Sequence, residues 1–182
     1  MDEIPLSALL IVLVVLLAMS AFFSLSETAM MASNRFRLRH LAQSGHHGAQ
    51  KAVALLDKTD KMLGVILLGN NLINSAAATL VGVITIDLFG EEKWALAAGT
   101  LAVTFAILVF SEITPKIIGA THADRLAIRL GYILTPLLRL FYPAVWFINL
   151  FASGLLRLIR LSPNTSDGPA KLSPEELRSL VL

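Results

Sequence analysis

Residues 6–32, LSALLIVLVVLLAMSAFFSLSETAMMA, form an apolar run that is long enough to cross a lipid bilayer. A transmembrane helix needs about 20 apolar residues, so this run predicts a span with some tilt. Acidic residues precede it and it exceeds the apolar core of a secretory signal, so it does not match a signal peptide. Two further runs, 62–89 and 94–120, predict two more spans.

The composition as a whole is that of a membrane protein. Of the 182 residues, 55% are hydrophobic and 15% are charged, and the mean hydropathy is +0.72, which is more apolar surface than a soluble domain of this length can bury. Cysteine is absent, which excludes disulfides and thiolate metal sites. Since we find no nucleophile–base pair, phosphate loop or dinucleotide motif, we do not expect an enzyme.

The charges between the spans predict their orientation. The connection 33–61 is strongly basic, whereas the connection 87–94 is mainly acidic. By the positive-inside rule, the first connection is cytoplasmic, the N-terminus lies outside and the C-terminus is cytoplasmic, in a plasma or inner membrane. Because orientation already explains the basic residues, nucleic acid is not an expected partner. Within the basic connection, residues 35–43 and 48–63 are patterned as two short cytoplasmic helices, separated at Ser44, Gly45 and Gly48.

A fourth apolar stretch, 126–161, contains Pro136 and Pro143 and has arginines towards both ends. This pattern predicts a re-entrant segment or a kinked juxtamembrane belt helix at the cytoplasmic interface, and an ordinary fourth span is the alternative. Residues 1–161 are thus predicted to form one all-α transmembrane domain with three transmembrane helices, a cytoplasmic helical pair and the belt helix. Residues 162–182 are predicted to be a linker and the start of a capped helix, which indicates a truncated cytoplasmic region.

Polar residues interrupt the three predicted spans at a common depth. Ser24, Asn70 and Glu112 each lie about 12 Å from the predicted cytoplasmic end of their helix. Polar groups are costly in hydrocarbon unless they face one another or water, so we expect these residues to converge. Hydroxyl, amide and carboxylate oxygens suit Mg²⁺, Ca²⁺ or Na⁺ rather than zinc or copper. The predicted metal ligands are Ser24, Asn70, Asn74, Ser111 and Glu112, and residues predicted to support them are Ser20, Ser26, Glu27, Asn71, Pro115 and Lys116.

Pro115 has no N–H to donate to the carbonyl of Ser111, so the third span is predicted to be kinked, with a free carbonyl oxygen beside Glu112. Structural readings remain open at the charged positions. Lys116 can neutralise Glu112 or extend its amine to the cytoplasm, and Glu27 is either a second acid of the site or the partner of Lys116. The serines can also bond to their own helix.

Small residues on the second span predict close helix packing. Gly64, Gly69 and Gly82 are the glycines concerned. In membranes, such residues allow the backbones of neighbouring helices to approach each other.

Three motifs, FSLSETA at 23–29, GNNLIN at 69–74 and SEITPK at 111–116, resemble the transmembrane domain of the CNNM/CorC magnesium transporters in their order and placement. The resemblance extends over residues 6–160. It implies a homodimer, a belt-like juxtamembrane helix and sodium-driven export of Mg²⁺, with the cation held by Ser24, Asn70, Asn74 and Glu112. The position before the glutamate, often glycine in the family, is Ser111, and the family's cytoplasmic CBS pair is absent from this chain.

Two other functions are compatible with the sequence. A magnesium sensor would bind the ion without moving it. A channel would favour a continuous polar stripe, whereas residues 9–17 and 96–109 of the outer halves are nearly all apolar. This contrast favours a transporter that is closed towards the outside.

Overall fold

The computed structural model describes residues 5–90 and 92–158. These residues form α1 (Leu6–Ala32), α2 (Arg35–Gln43), α3 (His47–Leu56), α4 (Thr59–Phe89), α5 (Lys93–Ala106), a π-helical segment (Ile107–Ile113), α6 (Thr114–Thr121) and α7 (Ala123–Leu158). The described part of the chain contains no β-strand, so the predicted all-α class is confirmed. The linker and helix predicted at 162–182 lie outside the described residues.

Four described helical stretches are long and apolar enough to cross a membrane. They are α1, α4, the continuous run Lys93–Thr121 and the stretch Ala123–Phe147 of α7. The first span has the predicted bounds, and the next two begin within three residues of the predicted starts. The chain is therefore a multi-pass membrane protein.

The connection between α1 and α4 contains two short helices, but the second was predicted with the wrong bounds. The helix predicted at 48–63 ends at Leu56, because Lys58 adopts φ −120° and ψ 44°, which is not helical, and the residues from Thr59 onwards open α4. Gly48 does not break the helix. The turn lies at Gly45, whose φ of +92° is in the left-handed region that favours glycine.

The buried core lies where the C-terminal half of α1 meets the α2–α3 pair, α4 and α7. Met30 of α1, Leu38 of α2, Leu56 of α3, Ile66 of α4 and Leu130 of α7 all belong to it. The N-terminal half of α1 contributes no residue to this buried cluster among those described. Packing is therefore concentrated at the end of the spans that was predicted to be cytoplasmic.

The residues from Ala123 to Leu158 form one helix that continues through Pro136 and Pro143. A single helix does not turn back, so the re-entrant interpretation was wrong. The first part of α7 packs on the α2–α3 pair and the start of α4. The amine of Lys51 lies 4.4 Å from the centre of the Tyr132 ring, and that of Lys61 lies 5.0 Å from the Tyr142 ring, within the range of cation–π attraction.

Glycine allows α7 to approach α3 closely. A Cβ atom on Gly48 would lie 2.7 Å from a methyl carbon of Ile128, and one on Gly131 would lie 3.0 Å from the backbone nitrogen of Ala52. Both distances are too short for a side chain to fit without movement of the neighbouring helix.

Candidate cation site

Ser20 of α1 is at the centre of a cluster of oxygen atoms between α1 and α4. Its hydroxyl oxygen lies 2.8 Å from the side-chain oxygen of Asn70 and 2.6 Å from that of Asn74. Ser20 is fully buried, and Asn70 is only 8% exposed. A hydroxyl carries one proton and can donate to only one of the two amide oxygens. The three oxygens thus form the kind of acceptor-rich group that a cation can complete, although rotation of one amide would also satisfy it.

One turn further along α1, Ser24 faces the third span. Its hydroxyl is directed at the main-chain carbonyl oxygen of Glu112 at 3.4 Å, a long hydrogen bond. A second hydrogen bond runs from the third span to α1, since the hydroxyl of Ser111 donates to the main-chain carbonyl of Leu17 at 3.0 Å. Ser24 and Ser111 are fully buried. These contacts bring the polar residues of the third span against the same face of α1 that carries Ser20.

The backbone around Glu112 is a π-helix from Ile107 to Ile113. Its wider turn is seen in the bond from the N–H of Thr114 to the carbonyl of Val109, five residues earlier. The prediction located the irregularity at Pro115 itself, whereas the structure places it in the turns just before the proline. Single π-helical turns within α-helices are often found at functional sites.

Two glycines allow α4 and α6 to approach α1 closely near the oxygen cluster. A Cβ atom on Gly69 would lie 2.6 Å from the ring of Phe23, so α1 and α4 meet where Asn70 follows in sequence. A Cβ atom on Gly119 would lie 2.8 Å from the carbonyl oxygen of Leu25. Gly69 therefore serves the predicted packing role. At Gly82 no atom of the described residues lies within 4 Å of such an atom, so the predicted packing role is not seen within this chain.

The structure brings some of the predicted residues together and separates others. Ser20, Asn70 and Asn74 are in direct contact, while Ser24 reaches Glu112 only through its backbone. In the described part of the chain, no hydrogen bond joins the amides of α4 to Glu112 itself. The amides of α4 therefore meet α1 at Ser20, and the π-helical segment meets it one turn further along, at Ser24.

The supporting residues divide into two groups. Ser26 is buried, but its hydroxyl donates to the carbonyl of Phe22 in its own helix at 2.7 Å. Its role is therefore structural, as it often is for serines that bond to their own helix. Pro115 is buried beside the π-helical segment. Asn71 and Lys116 are exposed on the surface of the chain, and Glu27 is half-buried.

The structure does not support the predicted ion pairs of Lys116 with Glu112 or with Glu27. Among the described residues, the ion pairs are Arg37 with Asp124 at 3.2 Å and Arg39 with Asp57 at 3.6 Å. Neither Glu112 nor Glu27 is paired with Lys116 within 4.0 Å. The described residues also contain no group of three or more His, Cys, Asp or Glu side chains that could hold a metal. A cation among Ser20, Asn70 and Asn74 would therefore be bound by neutral oxygens.

Sequence reasoning gave too little weight to Ser20 and missed the carbonyl of Leu17. Ser20 precedes Ser24 by four residues and so lies on the same face of α1, and on that spacing it was predicted as a supporting residue and not as a ligand. A backbone carbonyl has no sequence signal, because every residue carries one.

The fold and the site define a class of multi-pass membrane protein with a cluster of oxygen atoms between its spans. Residues 11–182 match the model of the CNNM family, described as the cyclin M transmembrane N-terminal domain. The chain belongs to this family.

The curated relatives include bacterial membrane proteins of similar sequence. The chain is 45% identical over 181 residues to a UPF0053 protein of Haemophilus influenzae, covering all of this chain and 42% of the relative. It is 40% identical over 162 residues to the UPF0053 inner membrane protein YfjD of Escherichia coli, covering 89% of this chain and 37% of the relative. It is 28% identical over 161 residues to a polyamine export protein of Salmonella typhimurium, covering 80% of this chain and 35% of that protein. The chain thus spans less than half the length of these relatives.

Proposed function

We propose that this protein exports Mg²⁺ from the cytoplasm in exchange for Na⁺, through the oxygen cluster between α1, α4 and the π-helical segment. The observation that carries the proposal is the position of the Ser20 hydroxyl oxygen, 2.8 Å and 2.6 Å from the side-chain oxygens of Asn70 and Asn74. With both amide oxygens turned towards it, the hydroxyl can donate to only one of them, and a cation among these oxygens would satisfy the other.

The ligand chemistry favours a hard cation. Mg²⁺ is bound by oxygen atoms at about 2.0–2.1 Å in near-octahedral geometry, and it gives up its water reluctantly. Asn70, Asn74, Ser24 and Ser111 would supply neutral oxygens, and Glu112 would supply the principal negative charge. One carboxylate does not neutralise a divalent ion, so binding would be weak enough to permit release, and Na⁺ could use the same oxygens.

The proposed direction of transport follows from the proposed topology. With the N-terminus outside, the oxygen cluster lies towards the cytoplasmic end of the spans. The outer half of α1 presents apolar side chains, such as Ile11 and Val14, each 65% exposed. Residues 9–17 of α1 therefore offer an ion no polar side chain, and we propose that the site is reached from the cytoplasm. We place α7 at the cytoplasmic interface, because its first part packs on α3 and on the start of α4.

We further propose that the protein is a homodimer in the membrane of the cell. Asn71 and Ser75 are exposed on adjacent turns of α4, at the depth of the oxygen cluster. An exposed amide is costly in hydrocarbon, and a second copy could cover it. Light scattering in detergent tests this, because Asn71→Leu would shift the mass only if the amide lies between two protomers. On the family resemblance, we propose a cytoplasmic CBS pair as the regulatory partner of this domain, and no catalytic activity.

The test of transport is Mg²⁺ flux in proteoliposomes with and without a sodium gradient. We expect a flux that depends on the gradient and falls to background in Glu112→Gln, because the principal charge is lost. Thr104→Val is the matched control, since this exposed threonine on α5 bonds only to the carbonyl of Thr100 in its own helix. Flux that is independent of the gradient and unaffected by Glu112→Gln would refute the mechanism.

Two alternatives have distinct outcomes in the same vesicles. A membrane-embedded magnesium sensor would bind Mg²⁺ at the cluster and show no flux. Polyamine is a second candidate cargo, because relatives at 28% identity carry the name polyamine export protein. Amide and carboxylate oxygens also accept hydrogen bonds from ammonium groups. Spermidine flux that is abolished by Glu112→Gln, without Mg²⁺ flux, would favour that cargo.

A further inference from the structure

A second polar site lies at the end of the spans predicted to be cytoplasmic, away from the oxygen cluster. A cavity of about 550 Å³ opens where the C-terminal ends of α1 and α6 meet the N-terminal ends of α2 and α7. Ala32 and Ala120 mark its apolar side. Its polar lining includes Asn34, Arg37, Thr121, His122, Asp124 and Arg125. Ser24 precedes Ala32 by eight residues, so the cavity lies about 12 Å along α1 from that residue.

The charges in this cavity favour an anion. Among the described lining residues Asp124 is the acidic one, and both of its carboxylate oxygens accept hydrogen bonds. One accepts the backbone N–H of Asn34 at 2.8 Å, and the other accepts Nη1 of Arg37 at 3.2 Å. Arg125 forms no ion pair among the described residues. Asp124 is thus paired with Arg37 alone, and the guanidinium group of Arg125 has N–H donors for a further anion. The planar fork of arginine matches the geometry of phosphate.

The surroundings of the cavity favour a phosphate that carries acyl chains. Phe36 follows Arg35 on α2 and is 85% exposed. Met31, next to Ala32 at the end of α1, is 49% exposed, and Ile117, one turn before the end of α6, is 58% exposed. Apolar side chains next to arginines at a membrane boundary are typical of contact with anionic lipid. A free phosphate ion would gain nothing from these apolar side chains.

We propose that this cavity binds the phosphate group of an anionic phospholipid of the cytoplasmic leaflet, with Arg125 and Arg37 as its donors. The bound phosphate would link the first turn of α7 to the first turn of α2. The cavity lies about 12 Å along α1 from Ser24, and its occupancy does not depend on the identity of the transported ion.

The test is native mass spectrometry of the detergent-solubilised chain, titrated with phosphatidylglycerol or phosphatidylcholine. We expect Arg125→Gln to raise the Kd of the first phosphatidylglycerol about fivefold, as expected for the loss of one basic residue at a lipid surface. Arg125→Lys should retain most of the affinity because it keeps the charge. The matched control is Arg129→Gln, an exposed arginine one turn further along α7 that does not line the cavity.

Two outcomes would overturn the proposal. An equal loss of affinity in Arg125→Gln and Arg129→Gln would mean that general surface charge, and not the cavity, attracts the lipid. Displacement of phosphatidylglycerol by inorganic phosphate, but not by chloride at equal ionic strength, would assign the cavity to a free anion. Unchanged far-ultraviolet circular dichroism in each variant would establish that the helices are intact.

Discussion

The two halves of α1 differ in which side chains they expose and which they bury. In the N-terminal half, Leu10 and Val14 are 46% and 65% exposed, whereas Ser20 and Ser24 in the C-terminal half are fully buried. In a soluble protein the apolar residues would be inside. In a bilayer, apolar side chains can face lipid, and polar side chains need partners within the protein. The polar residues of α1 therefore indicate where its neighbours pack.

The sharpest test of this difference is a change to the buried amide of α4. We expect Asn70→Leu to weaken Mg²⁺ binding by about 100-fold, since the loss of one oxygen ligand and of its bond to Ser20 disturbs the whole cluster. Isothermal titration calorimetry in detergent measures this effect. Thr104→Val also removes a polar group, but on an exposed face of α5, and should leave the Kd unchanged. Equal Kd values of wild type and Asn70→Leu for Mg²⁺ would show that the cluster is not the binding site.

A glycine pair tests whether packing differs between the two ends of the spans. Gly119→Ala should destabilise the protein by about 1–3 kcal/mol, because the new methyl group meets the backbone of α1 at Leu25. Gly82→Ala should stabilise α4 by about 0.5–1 kcal/mol, since it lies mid-helix and nothing is near enough to clash. The melting temperatures of the two variants and of the wild type in mild detergent measure these effects. A lower melting temperature in Gly82→Ala would show that this part of α4 is also closely packed.

A serine pair separates two kinds of buried hydroxyl on α1. Ser24→Ala should weaken Mg²⁺ binding by about tenfold, a smaller effect than at Asn70, because it removes a neutral oxygen that contacts Glu112 at 3.4 Å. Ser26→Ala should change the Kd less than twofold, because that hydroxyl bonds within its own helix. Titration calorimetry again provides the measurement. If Ser26→Ala weakened binding as strongly as Ser24→Ala, burial alone would not distinguish these serines.

Much of the fold was accessible from the sequence because hydropathy acts locally. The apolar run 6–32 coincides with α1, and the ends of the other spans shifted by only a few residues. The predicted helix boundaries were wrong where contacts between distant parts of the chain determine them. Gly48, read as a break, lies within α3, where the close approach of Ile128 leaves no room for a side chain. Lys58, in a run patterned as helix, ends the continuity between α3 and α4.

The candidate site was predicted only in part for the same reason. Helical spacing placed Ser24, Asn70 and Glu112 at one depth, but depth does not determine which atoms meet. The side-chain amides of α4 meet Ser20, and Ser24 meets a backbone carbonyl of the π-helical segment. A π-helix changes which way the following side chains point, and Pro115 indicates an irregularity without determining its position.

The sequence by itself determined the membrane class, the number of apolar runs and the depth of the polar residues, because each depends on the transfer of nearby side chains between water and lipid. Only the tertiary structure decided that Ser20 lies between Asn70 and Asn74, and that Ser26 is bonded within its own helix. These outcomes depend on the rotation and separation of neighbouring helices, which are set by contacts between residues far apart in the chain, such as Gly69 with Phe23.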